Sequence, residues 1–188
     1  MKKSIILILM TLSFNCFALS SFWIGTGTQT HNFLSAQNNT SGSKKVIDFA
    51  PTILAGLSLP FFFSGVYFSP AIGYSKFTTK DNTTKSDLIL QYHLTHATTS
   101  YFQYSYGFSN YITKIGGDGG SLVLNNGSGT ATMYTPKETK TSYTASLDLA
   151  GDLVFSSNWS ARIQFSLLRF LSSTSRRVSN LITINYNF

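Results

Sequence analysis

A chain of 188 residues carries 14 Lys and Arg against 7 Asp and Glu, a formal net charge of +7, yet only 11% of it is charged while 15% is aromatic. The positive charge is dispersed between apolar stretches instead of lining one stripe, which argues against nucleic acid as a partner. The single cysteine, Cys16, lies in an N-terminal leader, so the mature chain has neither disulfides nor thiol chemistry. No stretch reaches about 18 consecutive apolar residues, which excludes a transmembrane helix. A composition rich in Phe, Tyr, Thr, Ser, Asn and Gly favours strands and turns.

The leader has the three parts of a secretory signal peptide: Lys2 and Lys3, an apolar run over 5–14, and small residues at Ala18 and Ser20. Cleavage after Ala18 or Ser20 fits equally, so residues 1–20 are set aside and 21–188 form one domain. The apolar run is too short to cross about 30 Å as a helix. Asn15, ahead of Cys16, is not the small residue of a lipoprotein signal. The remaining length, divided by eight, gives about 21 residues per strand and connection, close to what a small barrel needs.

Alternating segments then follow one another, separated by turn signals. A weak first strand covers 22–33, and a polar loop 34–45. The second strand, 46–59, sets Ile47, Phe49, Ile53, Leu57 and Leu59 against Asp48, Ala50, Thr52, Gly56 and Ser58; Leu54 breaks the alternation, and Pro51 invites a bulge. After a short 60–65 connection, the third strand over 66–78 turns Val66, Phe68, Ile72 and Tyr74 outward and Ser69, Ala71, Gly73 and Ser75 inward. A charged loop, 79–86, leads to a fourth strand in which Leu88, Leu90, Tyr92 and Leu94 alternate with Ile89, Gln91, His93 and Thr95. Beyond a turn at 97–100, Phe102, Tyr104, Tyr106 and Phe108 alternate with Gln103, Ser105, Gly107 and Ser109.

The longest connection, 114–140, contains its own hairpin: 122–124 and 130–134 flank Asn125, Asn126 and Gly127. The sixth strand turns Tyr143, Ala145, Leu147, Leu149, Leu153 and Phe155 outward and Thr144, Ser146, Asp148 and Asp152 inward. The seventh turns Trp159, Ala161, Ile163, Phe165 and Leu167 outward, opposite Ser160, Arg162, Gln164 and Ser166. A short basic loop, 172–178, precedes the last strand. There Ile182, Ile184, Tyr186 and Phe188 lie on one face, and Leu181, Thr183, Asn185 and Asn187 on the other.

That ending resembles the C-terminal signature of bacterial outer-membrane β-barrels, with Phe188 last, Tyr186 two before it, and Ile184 and Ile182 behind. The resemblance implies that these residues are the sorting signal read by the barrel-assembly machinery. The stretch 150–165, with Gly151, Phe155, Asn158, Trp159 and Arg162, is similar to the last periplasmic hairpin of small opacity-type, OmpX-like and OmpA-like barrels. Gln164 stands where that family places a Glu.

The eight strands alternate long connections with short ones, as outer-membrane barrels do between the extracellular and periplasmic sides. Both termini then lie in the periplasm. Aromatics are expected in two girdles: Phe22, Trp23, Phe61, Phe62, Phe63, Phe155, Trp159, Tyr186 and Phe188 on the periplasmic side, and Tyr74, Phe77, Tyr111, Tyr143 and Phe170 on the outer side. Eleven cations fall in the outer loops and strand ends: Lys44, Lys45, Lys76, Lys80, Lys85, Lys114, Lys137, Lys140, Arg169, Arg176 and Arg177. A basic rim of this kind suits outer-membrane lipids and lipopolysaccharide phosphates.

Inside, Asp152 is expected opposite Arg162, joined by Asp148, Gln164, His93 and Gln103 in a structural polar network that plugs a lumen too narrow for a wide channel. Pairing His96 with Ser100 would set His93 opposite Gln103. Some eight-stranded barrels modify lipid A, and a serine mechanism needs Ser, His and an orienting acid together. The mature chain offers only His31, His93 and His96, with Glu138 its one Glu, and no such set lies on adjacent strands. Asp118, among Gly116, Gly117, Gly119 and Gly120, is one carboxylate where a calcium loop needs several.

The reading is therefore an all-β, eight-stranded antiparallel up-and-down transmembrane barrel, monomeric and non-enzymatic, without catalytic residues, metal or cofactor. A host or envelope ligand is expected at 114–140. A narrow porin-like channel, a lipid A-modifying enzyme and a soluble secreted β-protein are the alternatives.

Overall fold

The computed structural model describes residues 21–30, 49–78, 84–117, 119–125, 130–134, 137–172 and 176–188. They form ten strands: β1 (Ser21–Thr30), β2 (Ala50–Pro60), β3 (Val66–Thr78), β4 (Thr84–Ala97), β5 (Phe102–Gly116), β6 (Ser121–Asn125), β7 (Thr130–Tyr134), β8 (Lys140–Val154), β9 (Trp159–Leu168) and β10 (Arg177–Asn187). Eight of them close into a barrel in the order β1-β10-β9-β8-β5-β4-β3-β2. Every pairing is antiparallel, and each joins neighbours in the chain except β5–β8 and the closing β1–β10. The hairpin β6–β7 stands off the barrel, from Ser121↔Tyr134 to Asn125↔Thr130, as expected from its turn residues.

The side-chain period of two sorts the sequence into two faces. Twenty-three polar or charged residues are buried among the described residues, against eight hydrophobic ones. The large apolar side chains lie outside instead: Ile53, Ile72, Phe108, Leu147, Leu149, Leu153 and Ile184 are all about half exposed or more. A protein in water rarely exposes an apolar surface this continuous, and a wall set in hydrocarbon requires it. Closing the sheet also leaves no free edge along the wall.

The strand bounds refine the expected ones. β2 starts at Ala50, with 46–48 outside the described residues, as are 31–33 of the expected first strand. β4 already includes Thr84, Lys85 and Ser86, which were assigned to a loop, and β5 continues to Gly116. Pro51 causes no bulge. The ladder towards β3 begins at Thr52↔Ser75 and keeps one register to Pro60↔Tyr67. It skips Leu57 and Ser58, where Pro70 on β3 has no N–H to give.

Both ends of the domain meet at one end of the barrel, where Phe188 N donates to Phe22 O (2.9 Å) and Asn187 N to Asn158 O (2.8 Å). The short turns at 61–65, 98–101 and 155–158 lie there too, and the long connections at the other end. The rings clustered at the short-turn end include Phe22, Phe61, Phe62, Phe63, Phe155, Trp159, Tyr186 and Phe188.

Two rings assigned to the girdles are inside. Trp23 and Tyr111 are each at least 96% buried, because both fall on the inward parity of their strands. Tyr74 and Tyr143 do face out at the other end, and Phe170 is part-buried.

Candidate functional site

The interior is layered. Nearest the short turns, Asp152 on β8 faces Arg162 on β9, as the Phe155–Trp159 turn dictates. Arg162 holds the carboxylate with two parallel bonds, Nε to Oδ1 at 2.8 Å and Nη2 to Oδ2 at 3.0 Å. The guanidinium carbon lies 5.2 Å from the Trp23 ring centre. A bidentate pair with an aromatic face beside it satisfies two charges that would otherwise be costly to bury.

Trp23, Leu54 and Leu181 pack together just behind this pair, with Ala71 against them. This explains the two residues that break the alternation: Leu54 and Leu181 are the apolar stopper of a polar tube. Gly56 makes the space, since a Cβ there would lie 2.5 Å from the Trp23 ring. A cavity of about 370 Å³ opens on the short-turn side of the stopper, lined among others by Gln103, Asp152, Arg162 and Asn185.

The middle layer centres on Asp148. Its carboxylate accepts from His93 Nε2 (2.9 Å), from Ser146 Oγ (2.7 Å) and from Ser109 Oγ. His93 is therefore not paired with Gln103. β4 and β5 are in a register that puts His93 opposite Gly107 and Gln103 opposite Ala97. Thr99 is the cause: its hydroxyl accepts from Tyr101 N (3.2 Å) and Phe102 N (3.0 Å), holding a wider turn than the one expected. Gly107 then lets the imidazole reach past β5 to β8, because a Cβ there would meet Tyr92 O at 2.1 Å and His93 Cδ2 at 2.9 Å.

In the same layer Gln91 Nε2 donates to Gln164 Oε1 (3.1 Å), Gln164 Nε2 to Ser166 Oγ (3.0 Å), and Tyr111 Oη to Ser166 Oγ (3.3 Å). Gln164 thus does what a neutral residue can where a Glu–Arg network would use charge. Of the six residues expected in the lumen network, five are in hydrogen-bonded clusters, while Gln103 lines the short-turn cavity.

Towards the long loops, Asp87 accepts from Thr113 Oγ1 (2.5 Å) and lies 3.9 Å from Lys85 Nζ. Gln29 links Ser75 and Ser179, both at 3.3 Å. Ile89, Tyr111 and Leu168 form a second apolar layer. Above it lies a cup of about 110 Å³ whose lining includes Lys85, Ser142, Thr144, Arg169 and Arg177. The inward place of Asp87 follows from β4 starting at Thr84, inside the stretch assigned to the 79–86 loop.

The histidines do not assemble a serine site among the described residues. Asp148 stands between His93 and both serines, so the imidazole is not placed to take a serine proton. His96 faces outward, stacked on Tyr104 at 4.8 Å and Tyr106 at 5.4 Å. His31, Asp48 and Asp118 lie outside the described residues.

The barrel superposes on solved structures along nearly its whole length. Ail, the attachment invasion locus protein of Yersinia pestis, matches with a TM-score of 0.53 at 9% identity, over 90% of this chain and 97% of Ail. The chain has the fold of the small eight-stranded outer-membrane barrels. The N-terminal β-barrel domain of Pseudomonas aeruginosa OprF (TM-score 0.49, 11% identity, 89% and 97% covered) and Neisserial surface protein A (0.46, 6%, 89% and 94%) are also similar. No family model and no curated protein matches the sequence. The lumen of the present chain carries two apolar layers, one at each end of a hydrogen-bonded middle.

Proposed function

We propose that the protein is a monomeric barrel of a bacterial outer membrane, exported by its leader, that acts at the cell surface without catalysis. The observation that carries this reading is the inverted burial: an apolar outer wall around a lumen filled by hydrogen-bonded side chains. The Asp152–Arg162 pair, the Asp148 cluster and the two apolar layers then serve as a structural plug. Phe188, Tyr186, Ile184 and Ile182 serve as the signal for the barrel-assembly machinery. The basic long-loop end meets lipopolysaccharide, and the 114–140 connection offers its hairpin to a host or envelope ligand.

The test begins with the mature chain refolded in detergent, run boiled and unboiled on SDS gels. A mobility shift and no steady conductance in a planar bilayer are expected. A chain soluble without detergent and lacking the shift would overturn the membrane assignment, and a reproducible unitary conductance would favour the narrow channel. The short-turn cavity of about 370 Å³ gives that second reading its one concrete basis. Altered lipid A masses on overexpression would point instead to the lipid A enzyme.

A further inference from the structure

We propose that the cup at the long-loop mouth binds a tetrahedral dianion, the phosphate group of a lipid headgroup or free phosphate. The proposal rests on the outer-membrane reading only for the side on which the cup opens.

The sequence places a cation at the mouth end of three different strands or turns: Lys85 on β4, Arg169 just after β9, and Arg177 at the start of β10. Closure of the barrel brings them round one hollow with Thr113, Ser142 and Thr144. Its floor is Tyr111 and Leu168, members of the apolar layer, so an anion entering the cup stops there. The only carboxylate near the cup among the described ion pairs is Asp87, 3.9 Å from Lys85. Three cations round one hollow make it a site for an anion. The volume of about 110 Å³ is several times the share of a water molecule, about 30 Å³, and admits one such group.

The backbone supplies an independent sign. Arg169 has φ of 53°, the one positive value at a non-glycine position among the described residues. That conformation is strained for a long side chain such as arginine, and glycine or, less often, asparagine is its ordinary occupant. The turn is fixed by Arg169 N donating to Ala145 O and Ser172 N donating to Arg169 O, both at 2.9 Å. A guanidinium held on a strained backbone at the lip of a cationic cup has the form of a ligand clamp. Among the described ion pairs none holds Arg169 or Arg177, so both guanidiniums can meet an anion with charge-assisted bonds.

The experiment titrates inorganic phosphate into the refolded mature chain in zwitterionic detergent, by calorimetry, after each sample has passed the gel-mobility test. Arg169→Gly keeps the turn and removes the guanidinium; Arg177→Gln removes the second. Lys114→Gln removes the same charge from an exposed lysine outside the cup lining. Phosphate binding should weaken by about tenfold or more in the first two variants and stay within about twofold in the third. No phosphate binding by the wild type, or equal weakening in all three, would overturn the proposal in favour of diffuse attraction by the rim.

Repeating the titration in phosphatidylcholine vesicles that contain phosphorylated or dephosphorylated lipid A identifies the source. Loss of the phosphate signal only with the phosphorylated lipid assigns the cup to a headgroup. An unchanged signal with both assigns it to free phosphate. A missing mobility shift in the wild type would fail the membrane reading separately.

Discussion

Removing both partners of the Asp152–Arg162 pair should cost far less than the sum of removing each alone. Asp152 is 3% exposed and Arg162 7%, and they share two bonds of 2.8 and 3.0 Å. Deleting one member of a buried pair strands a charge and costs about 3–5 kcal/mol. Here the adjoining cavity admits water to the stranded group, which places the expected loss at the lower bound, about 3 kcal/mol. Arg162→Ala should run slightly above Asp152→Ala, because it also forfeits the contact with the Trp23 face, worth about 0.5–1 kcal/mol at a wet site. The double variant strands no charge, so its cost should also be about 3 kcal/mol, well short of the sum of the singles. The assay is a urea titration of each variant refolded in phosphatidylcholine vesicles, with the folded fraction read from gel mobility so that the altered surroundings of Trp23 do not enter. Singles that add to the double within about 0.5 kcal/mol would refute the idea that the two charges act as one unit.

Other expectations follow from single features. Gly107→Ala should lower stability by about 1–3 kcal/mol, since its Cβ would press on the Tyr92 carbonyl and the His93 ring; an unchanged urea midpoint would contradict the close packing of β4 on β5. Leu54→Ala should cost about 2–5 kcal/mol and raise planar-bilayer conductance by thinning the stopper of Trp23, Leu54 and Leu181. A stability loss without added conductance would move the barrier elsewhere. Leu149→Arg, on the apolar wall, should cost about 2–4 kcal/mol in vesicles, and a neutral result would put that face in water. Deleting 117–139 and joining β5 to β8 by a short turn should preserve the mobility shift, because β5 already pairs with β8 from Phe102↔Leu153 to Ile115↔Lys140. Failure to refold would show that the hairpin takes part in closure.

How far the fold was legible depended on whether a strand's two faces differ in chemistry. β10, β9 and β4 alternate so cleanly that parity assigned each side chain. The pairing of Asp152 with Arg162 was readable because a tight turn fixed the register ten residues apart. Across the 98–101 turn the same reasoning misplaced His93, because hydroxyl bonds from Thr99 widen the turn and composition does not reveal that. Trp23 and Tyr111 were read as interface rings by type, although their parity pointed inward; a rule about aromatics overrode a stronger rule about alternation. The cup at the mouth was hidden for another reason. Lys85, Arg169 and Arg177 are far apart in sequence, and only closure brings them round one hollow.

The closing pair of strands also dictates an order of events. Thr30 lies against Asn180, so the seam between β1 and β10 joins segments separated by almost the whole domain. Every other barrel pairing joins strands that a growing sheet can add one at a time, but this one must wait for the final strand. Until then the sheet is a curved ribbon with two raw margins, a state prone to adhere to its own kind. The last barrel strand is therefore the latch. A copy truncated before Arg177 has no strand with which to shut the barrel, and both of its margins stay bare.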